Sequence, residues 1–387
     1  MRIMSDTIAR LAAFRGRQAG HFPGSTSPDR LSTLSDFGSN PGGLKSRFYV
    51  PAGLSKGAPL VVVLHGCTQN AAGYDHHAGW SQLADHAGFA LLYPEQHHGN
   101  NPNLCFNWFR PGDTRRNAGE ALSIRQMIEA MVVAHGLDRD RIFVTGLSAG
   151  GAMASVMLAT YPEVFAGGAV IAGLAYGRAT TVPEAFDCMR GQGAASDEEL
   201  WGLLRNASRH PGPWPRVTIW QGSADHTVAP SNAEDIAAQW RSVHQLDEMP
   251  TRSEVLGVRT KRTWCNDAGE AMIELNTVAA MGHGTPLGDD LGAAGPYMLD
   301  VGISSTREIA QFWGISEARE AAFASTVPAT VNDRQATLPA PVAPTPEARE
   351  AEPEAYALGA RWKSPVSDPS GVKRIIEDAL RAAGLMR

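Results

Sequence analysis

The sequence predicts an α/β fold, a mostly parallel central sheet with helices on both faces. Short apolar, β-branched runs alternate with helix-length segments from about residue 59 to residue 314, the pattern of strand–helix–strand crossovers. The run PLVVVLHG at 59–66 is apolar through six consecutive positions, as a strand covered on both faces is. With 387 residues, 43% apolar and 19% charged, the chain can bury a sizeable core without staples, and wholesale disorder is excluded.

Residues 5–17 carry Ile8, Leu11 and Ala12 on one face behind Ser5 or Asp6, which predicts a short capped helix. Residues 18–43, rich in Gly, Pro and Ser, read as loop. Strands follow at 44–51 and 59–66, a helix at about 75–88, and a buried strand at 89–95. Residues 96–116 read as a long loop of the kind that usually serves function. A helix at 118–136 has Ile124, Met127, Ile128, Met131 and Val132 at i, i+3, i+4 spacing and Gly136 as its stop. Next come a strand at 141–146, a helix stopped at Pro162, strands at 165–173, 217–222 and 271–276, and a helix at 305–314. Ala and Pro then make up sixteen of the 35 residues from 321 to 355, a linker composition. Periodicity returns at the end, where Val372, Ile375, Ile376, Ala379, Leu380 and Ala383 form one stripe.

The net charge of −6 gives no electrostatic reason to expect nucleic acid or an anionic membrane as partner. The N-terminus is basic, but its longest apolar run is Leu11 to Phe14, short of the roughly 7–15 residues of an export signal. No run approaches the roughly 18–20 residues of a membrane span. Taken alone, the chain reads as soluble and cytoplasmic. Cys67, Cys105, Cys188 and Cys265 form no CxxC and no zinc-like cluster, and their spacing does not decide between two disulfides and four thiols. His76–His77 and His97–His98 do not predict a metal site, because adjacent side chains do not face the same way.

The chemistry centres on Gly146-Leu147-Ser148-Ala149-Gly150, between a β-branched strand and a small-residue helix. The two glycines permit a sharp turn that exposes the serine hydroxyl at the sheet's carboxyl edge, where the helix N-terminus aims N–H groups. A serine hydroxyl needs a base, and the base an orienting acid. Strand 217–222 runs into Asp225, the candidate acid. His226 is too close in sequence to fold back over Asp225, and His244 lies in a helix-like polar stretch. His283, between two glycines after the last strand, is the candidate base. A developing oxyanion needs preorganised donors. The backbone N–H of Ala149 and that of Cys67, in the loop His65–Gln69, are the candidates. Among aromatics, Trp108, Phe109 and Trp264 are candidate substrate contacts, with Phe106 beside them. This acyl-transfer machinery calls for no metal and no organic cofactor.

With these residues assembled, the chain resembles the esterases of the polyhydroxybutyrate (PHB) depolymerase family, extracellular type, within the α/β-hydrolase superfamily. The similarity spans roughly residues 44–314 and rests on LHGCTQ (64–69), CFNWFRPGDTRR…GEALSI (105–124), VTGLSAGGAMA (144–154), YPEVFAGGAVIAGLAYG (161–177), WQGSADHTVAPSNA (220–233), the GHG at 282–284, and GPYMLDVGISST (295–306). It implies an α/β-hydrolase fold with Ser148 as nucleophile, Asp225 as acid, His283 as base, and an oxyanion site at Cys67 and Ala149. It also implies a serine carboxylester hydrolase acting on short-chain polyhydroxyalkanoate or its oligomers, with feruloyl or acetylxylan ester hydrolysis as the alternative. Family members are typically secreted, in contrast to the cytoplasmic reading above. For an exported member the suggested pairing is Cys67–Cys105 and Cys188–Cys265.

The expected organisation is an N-terminal helix and loop (1–43), a catalytic domain (44–315), an Ala/Pro-rich linker (316–368) and a C-terminal amphipathic helix (369–387). That last helix suggests contact with polymer granules. A granule-binding protein with little activity is the rival of another class.

Overall fold

The structure is a computed structural model that describes residues 29–316. These belong to the first of two units into which the chain divides, residues 1–324 and 325–387. The expected helix at 5–17, the linker beyond residue 316 and the helix at 369–387 lie outside the described residues.

Ten strands form one sheet: β1 (Ser32–Thr33), β2 (Lys45–Tyr49), β3 (Leu60–Leu64), β4 (Ala90–Glu95), β5 (Ile142–Leu147), β6 (Gly167–Ile171), β7 (Arg216–Gly222), β8 (Arg252–Leu256), β9 (Arg259–Cys265) and β10 (Ala271–Val278). Their spatial order is β1-β2-β4-β3-β5-β6-β7-β10-β9-β8. The stretch from β4 to β10 is parallel, and antiparallel pairs flank it on both sides. A small parallel pair, β11 (Thr285–Leu287) and β12 (Met298–Asp300), stands apart. The helices are α1 (Ala71–Ala78), α2 (Trp80–Ala87), α3 (Pro111–Thr114), α4 (Gly119–His135), α5 (Ala149–Thr160), α6 (Val182–Met189), α7 (Asp197–Ala207), α8 (Ser231–His244) and α9 (Ser305–Trp313).

The apolar runs are continuous because the sheet is buried on both faces. In β3, Leu60, Val62 and Leu64 join the core with α4 and α5, while Val61 and Val63 join the opposite core with α2 and α9. The second core is built on aromatics, with Trp313 stacked on Phe143 at 4.9 Å and on Trp80 at 6.1 Å. Every residue of α5 is buried, so this helix carries no polar face.

The structure departs from the sequence reading in several places. The helix expected at 75–88 is two helices, because Gly79 at φ 74° ends α1 and starts α2. Within the segment read as loop, β1 pairs with β2. The hairpin β8–β9 was not expected: β8 is exposed throughout, and its charged sequence has no apolar alternation to signal a strand. One disulfide forms, Cys67–Cys105. The expected Cys188–Cys265 bond does not. Cys188 is buried in α6 with its thiol on Asn232 (3.6 Å), and Cys265 ends β9 beside Arg252 (3.2 Å). No helix among the described residues is long and apolar enough to cross a membrane.

Candidate active site

Parallel pairing brings the carboxyl ends of β3, β5, β6, β7 and β10 to one rim. Ser148 sits where β5 turns into α5, at φ 58° and ψ −119°. That conformation is strained for a residue with a Cβ. Its N–H is held by Ile171 O at 2.9 Å. The flanking glycines are required by close approach. A Cβ on Gly146 would lie 2.3 Å from Gly150 O, and one on Gly150 would lie 2.3 Å from Leu64 O. The head of α5 therefore packs directly on the exit of β3, which brings Ala149 beside the loop that carries Cys67.

Asp225 follows β7 in a buried turn. Its Oδ1 accepts the N–H groups of Thr227 (2.8 Å) and Val228 (2.9 Å), and its Oδ2 accepts Gln221 Nε2 (3.1 Å). His283 Nδ1 lies 2.8 Å from the same Oδ2. Burial pushes the Asp225 carboxyl up, but His283 and the two backbone donors outweigh it and hold it below the usual carboxylate value. The loops of Asp225 and His283 are bound to each other, with the Ala224 N–H on Met281 O (2.9 Å) and the Ser223 N–H on Val278 O (2.9 Å).

The Cys67 loop is fixed from both ends. The disulfide ties it to Cys105, and the Thr68 N–H bonds Asn103 O at 2.8 Å. Behind it, the buried His65 accepts the Gln96 N–H at Nε2 (3.1 Å). Its Nδ1–H therefore donates to Gly66 O (2.8 Å). Burial pushes the His65 imidazole below its ordinary value, keeping it the neutral tautomer that this pairing requires. Gln96 in turn donates to buried Glu120 (2.7 Å), which also accepts the side chain and the N–H of Asn107. The N–H groups of Cys67 and Ala149 have no acceptor among the described residues.

The chain matches the family described as esterase PHB depolymerase over residues 44–253. It is 46% identical over 298 residues to poly(3-hydroxyalkanoate) depolymerase C of Paucimonas lemoignei, covering 75% of this chain and 72% of that protein. The chain belongs to the PHB depolymerase esterase family. It is thus a serine-type carboxylesterase, a carboxylic ester hydrolase of the α/β-hydrolase superfamily. The esterase is also similar to acetylxylan esterase A of Emericella nidulans, 33% identical over 224 residues, 56% of this chain and 72% of that one. Among solved structures it resembles the acetyl xylan esterase from Aspergillus awamori, with a TM-score of 0.64 and 25% identity, covering 74% of this chain and 99% of that one.

The aromatic candidates separate. Trp108 is buried in the core that includes Ala149, and Phe109 is half-buried against that core. Both lie in the loop that the disulfide ties to Cys67. Trp264 is 1% exposed, with its indole N–H on Glu248 O. It pairs with Ile273, which pairs with Val217 at the far end of β7. The structure does not bring Trp264 to the rim, so the expected substrate contact is corrected to a core position. Three of the paired histidines bond backbone carbonyls: His97 bonds Gly43 O, His98 bonds Pro102 O, and His77 bonds Ala293 O. Among the described residues no group of three His, Cys, Asp or Glu side chains is placed to hold a metal ion. Gln69, Gln96, Asn107, Glu120 and Gln221 were missed as support for the site. The motif stretches contain all of these but Gln96, and only tertiary contacts reveal what each one holds.

Proposed function

We propose that this esterase hydrolyses short-chain polyhydroxyalkanoate esters through an acyl-enzyme formed on Ser148. The observation that carries the reading is the 2.8 Å pair between His283 Nδ1 and buried Asp225, on the rim that also carries the strained Ser148. A carboxylate only accepts, so Nδ1 keeps the proton and Nε2 is free to act as base. His283 takes the Ser148 proton as Oγ attacks the ester carbonyl. The N–H groups of Cys67 and Ala149 hold the oxyanion. His283 then protonates the leaving alcohol, the C–O bond breaks, and water repeats the sequence on the acyl-enzyme to release the acid and restore Ser148. Of the aromatic candidates, Phe109 is the one left partly open to substrate.

The 46% identity to a poly(3-hydroxyalkanoate) depolymerase, against 33% to an acetylxylan esterase, supports a hydroxyalkanoate substrate. The structural likeness to an acetyl xylan esterase favours a second reading, deacetylation of xylan. The deciding experiment measures 3-hydroxybutyrate released from amorphous polymer and acetate released from acetylated xylan, with Ser148→Ala beside each. Release of 3-hydroxybutyrate by wild type alone supports the first reading. Acetate release without it selects the second. Turnover by clean Ser148→Ala protein removes both.

The division into a catalytic domain at 44–315, a linker and a terminal helix at 369–387 is part of this proposal, as is granule contact through that helix. Deleting residues 321–387 tests both. Lost granule binding with unchanged hydrolysis of soluble esters supports them.

A further inference from the structure

Tyr297 stands next to the candidate base, and the catalytic reading gives it no role. Its ring is T-shaped against His283, with centroids 6.0 Å apart. It is 38% exposed and belongs to neither core cluster. Its backbone is left-handed, at φ 61°, where a residue with a Cβ is disfavoured unless its surroundings hold it.

The surroundings do hold it. Tyr297 O accepts the Thr285 N–H at 2.8 Å, and Gly295 and Met298 exchange backbone hydrogen bonds at 3.0 and 3.1 Å. Ala293 is clamped by His77, which accepts its N–H at the backbone O (3.0 Å) and donates from Nδ1 to its carbonyl (2.7 Å). Gln69 spans the gap to the oxyanion loop. Its Nε2 donates to Pro296 O (3.4 Å), and its Oε1 accepts the Gly66 N–H (2.8 Å), one residue before Cys67. The 293–298 turn is therefore anchored to α1, to the His283 loop and to the oxyanion loop at once. A glycine would suit this backbone better, and no core packing is at stake. What the ring offers is an aromatic surface beside the imidazole.

We propose that Tyr297 is a specificity-determining residue, the wall of the site on the leaving-alcohol side, and that it selects esters whose alcohol part is extended. The inference rests on the assignment of His283 as base. His283 hands its proton to the leaving oxygen, so whatever that oxygen carries runs past the imidazole and its neighbours. A methyl group ends before it reaches the ring. A second hydroxyalkanoate unit, or any alcohol of similar length with an apolar face, lies against it and gains contact area in the transition state.

The test uses two substrates with one acyl part and different alcohols, methyl 3-hydroxybutyrate and the linear 3-hydroxybutyrate dimer, on the full chain. Tyr297→Gly lowers kcat/KM for both but more for the dimer, so the dimer-to-methyl ratio falls about tenfold. Its Tm stays level or rises, because glycine relieves the backbone. Tyr297→Phe keeps the ring and holds the ratio within about twofold. An unchanged ratio in Tyr297→Gly overturns the proposal, whether both activities fall together or neither does. If wild type cleaves neither hydroxybutyrate ester, the polyester reading has failed, and the same ratio is read from 2-naphthyl acetate against methyl acetate.

Discussion

The Asp225 carboxylate takes four donors, and one of them is His283 Nδ1 at 2.8 Å. The other three fix the carboxylate before the imidazole arrives, so one Oδ2 is aimed at one ring nitrogen. Asp225→Asn presents an amide at that point and favours the wrong tautomer of His283. We predict a fall in kcat of about 10³–10⁴ with little change in KM, measured on a p-nitrophenyl butyrate assay. A loss below about tenfold would remove Asp225 from the mechanism. The pH dependence has a definite sign. The folded carboxyl titrates below its ordinary 3.8, so its stabilisation is present above that value and is lost as pH falls through the folded one. Asp225→Asn loses this acid-side contribution.

Ser148 holds φ 58° without being glycine, which puts strain at the proposed nucleophile. Ser148→Ala and Ser148→Gly should both abolish turnover. They should differ in stability, with Ser148→Gly the more stable by up to about 1 kcal/mol, since glycine occupies this region freely. Equal midpoints in urea would mean the elbow is not strained.

Much of this site was legible in the sequence, and the rest was hidden for physical reasons. PLVVVLHG read as a doubly covered strand because its alternate residues enter two different cores. GLSAG, SADH and MGHG were readable because each follows a strand, and parallel strands deliver their carboxyl ends to one rim. The β8–β9 hairpin was not, since an exposed charged edge carries no burial pattern. Nor was Trp264, whose place at the far end of the sheet is set by register with Ile273 and Val217. Cys188 and Cys265 show that cysteine pairing is a matter of geometry that spacing does not carry. Gln69, Glu120 and Tyr297 act through contacts with residues far away in the chain, and no local pattern marks such contacts.

The proposed oxyanion donor is the backbone N–H of Cys67, and the sulfur of that residue is bonded to Cys105, 38 residues away. Closing a loop of that length restricts the unfolded chain by roughly 4 kcal/mol in the chain-entropy account. The Cys67→Ser/Cys105→Ser double variant should lose a large part of that stability. It should also lose kcat more than KM, because a loosened oxyanion donor weakens the transition state before the ground state. Cys188→Ala is the control. Its buried thiol, pushed up to about 11 by desolvation, rests on Asn232 and takes no part in the disulfide, so the variant should keep the Cys67–Cys105 bond and wild-type turnover. A double variant with wild-type kcat would show that the loop needs no disulfide to hold its N–H in place.

Glu120 is a fully buried carboxyl with no cation among its partners. It accepts Gln96 Nε2 and Asn107 Nδ2 at 2.7 Å, the Asn107 N–H at 2.9 Å and Asn100 Nδ2 at 3.3 Å. Burial pushes it up to about 8 despite these donors, with Asp113 adding to the rise. Between its ordinary 4.5 and about 8, the folded state therefore holds a proton that the unfolded state has released. By linkage, this residue makes the protein less stable as pH rises through that window, and adds no further slope above it. In Glu120→Gln the slope disappears. The variant is also less stable than wild type at pH 5 by about 1–3 kcal/mol, because an amide N–H now meets the N–H of Asn107. Urea unfolding from pH 5 to 9 reads both effects. Parallel slopes for the two proteins would show that Glu120 is already ionised at pH 5 and that its four donors outweigh its burial.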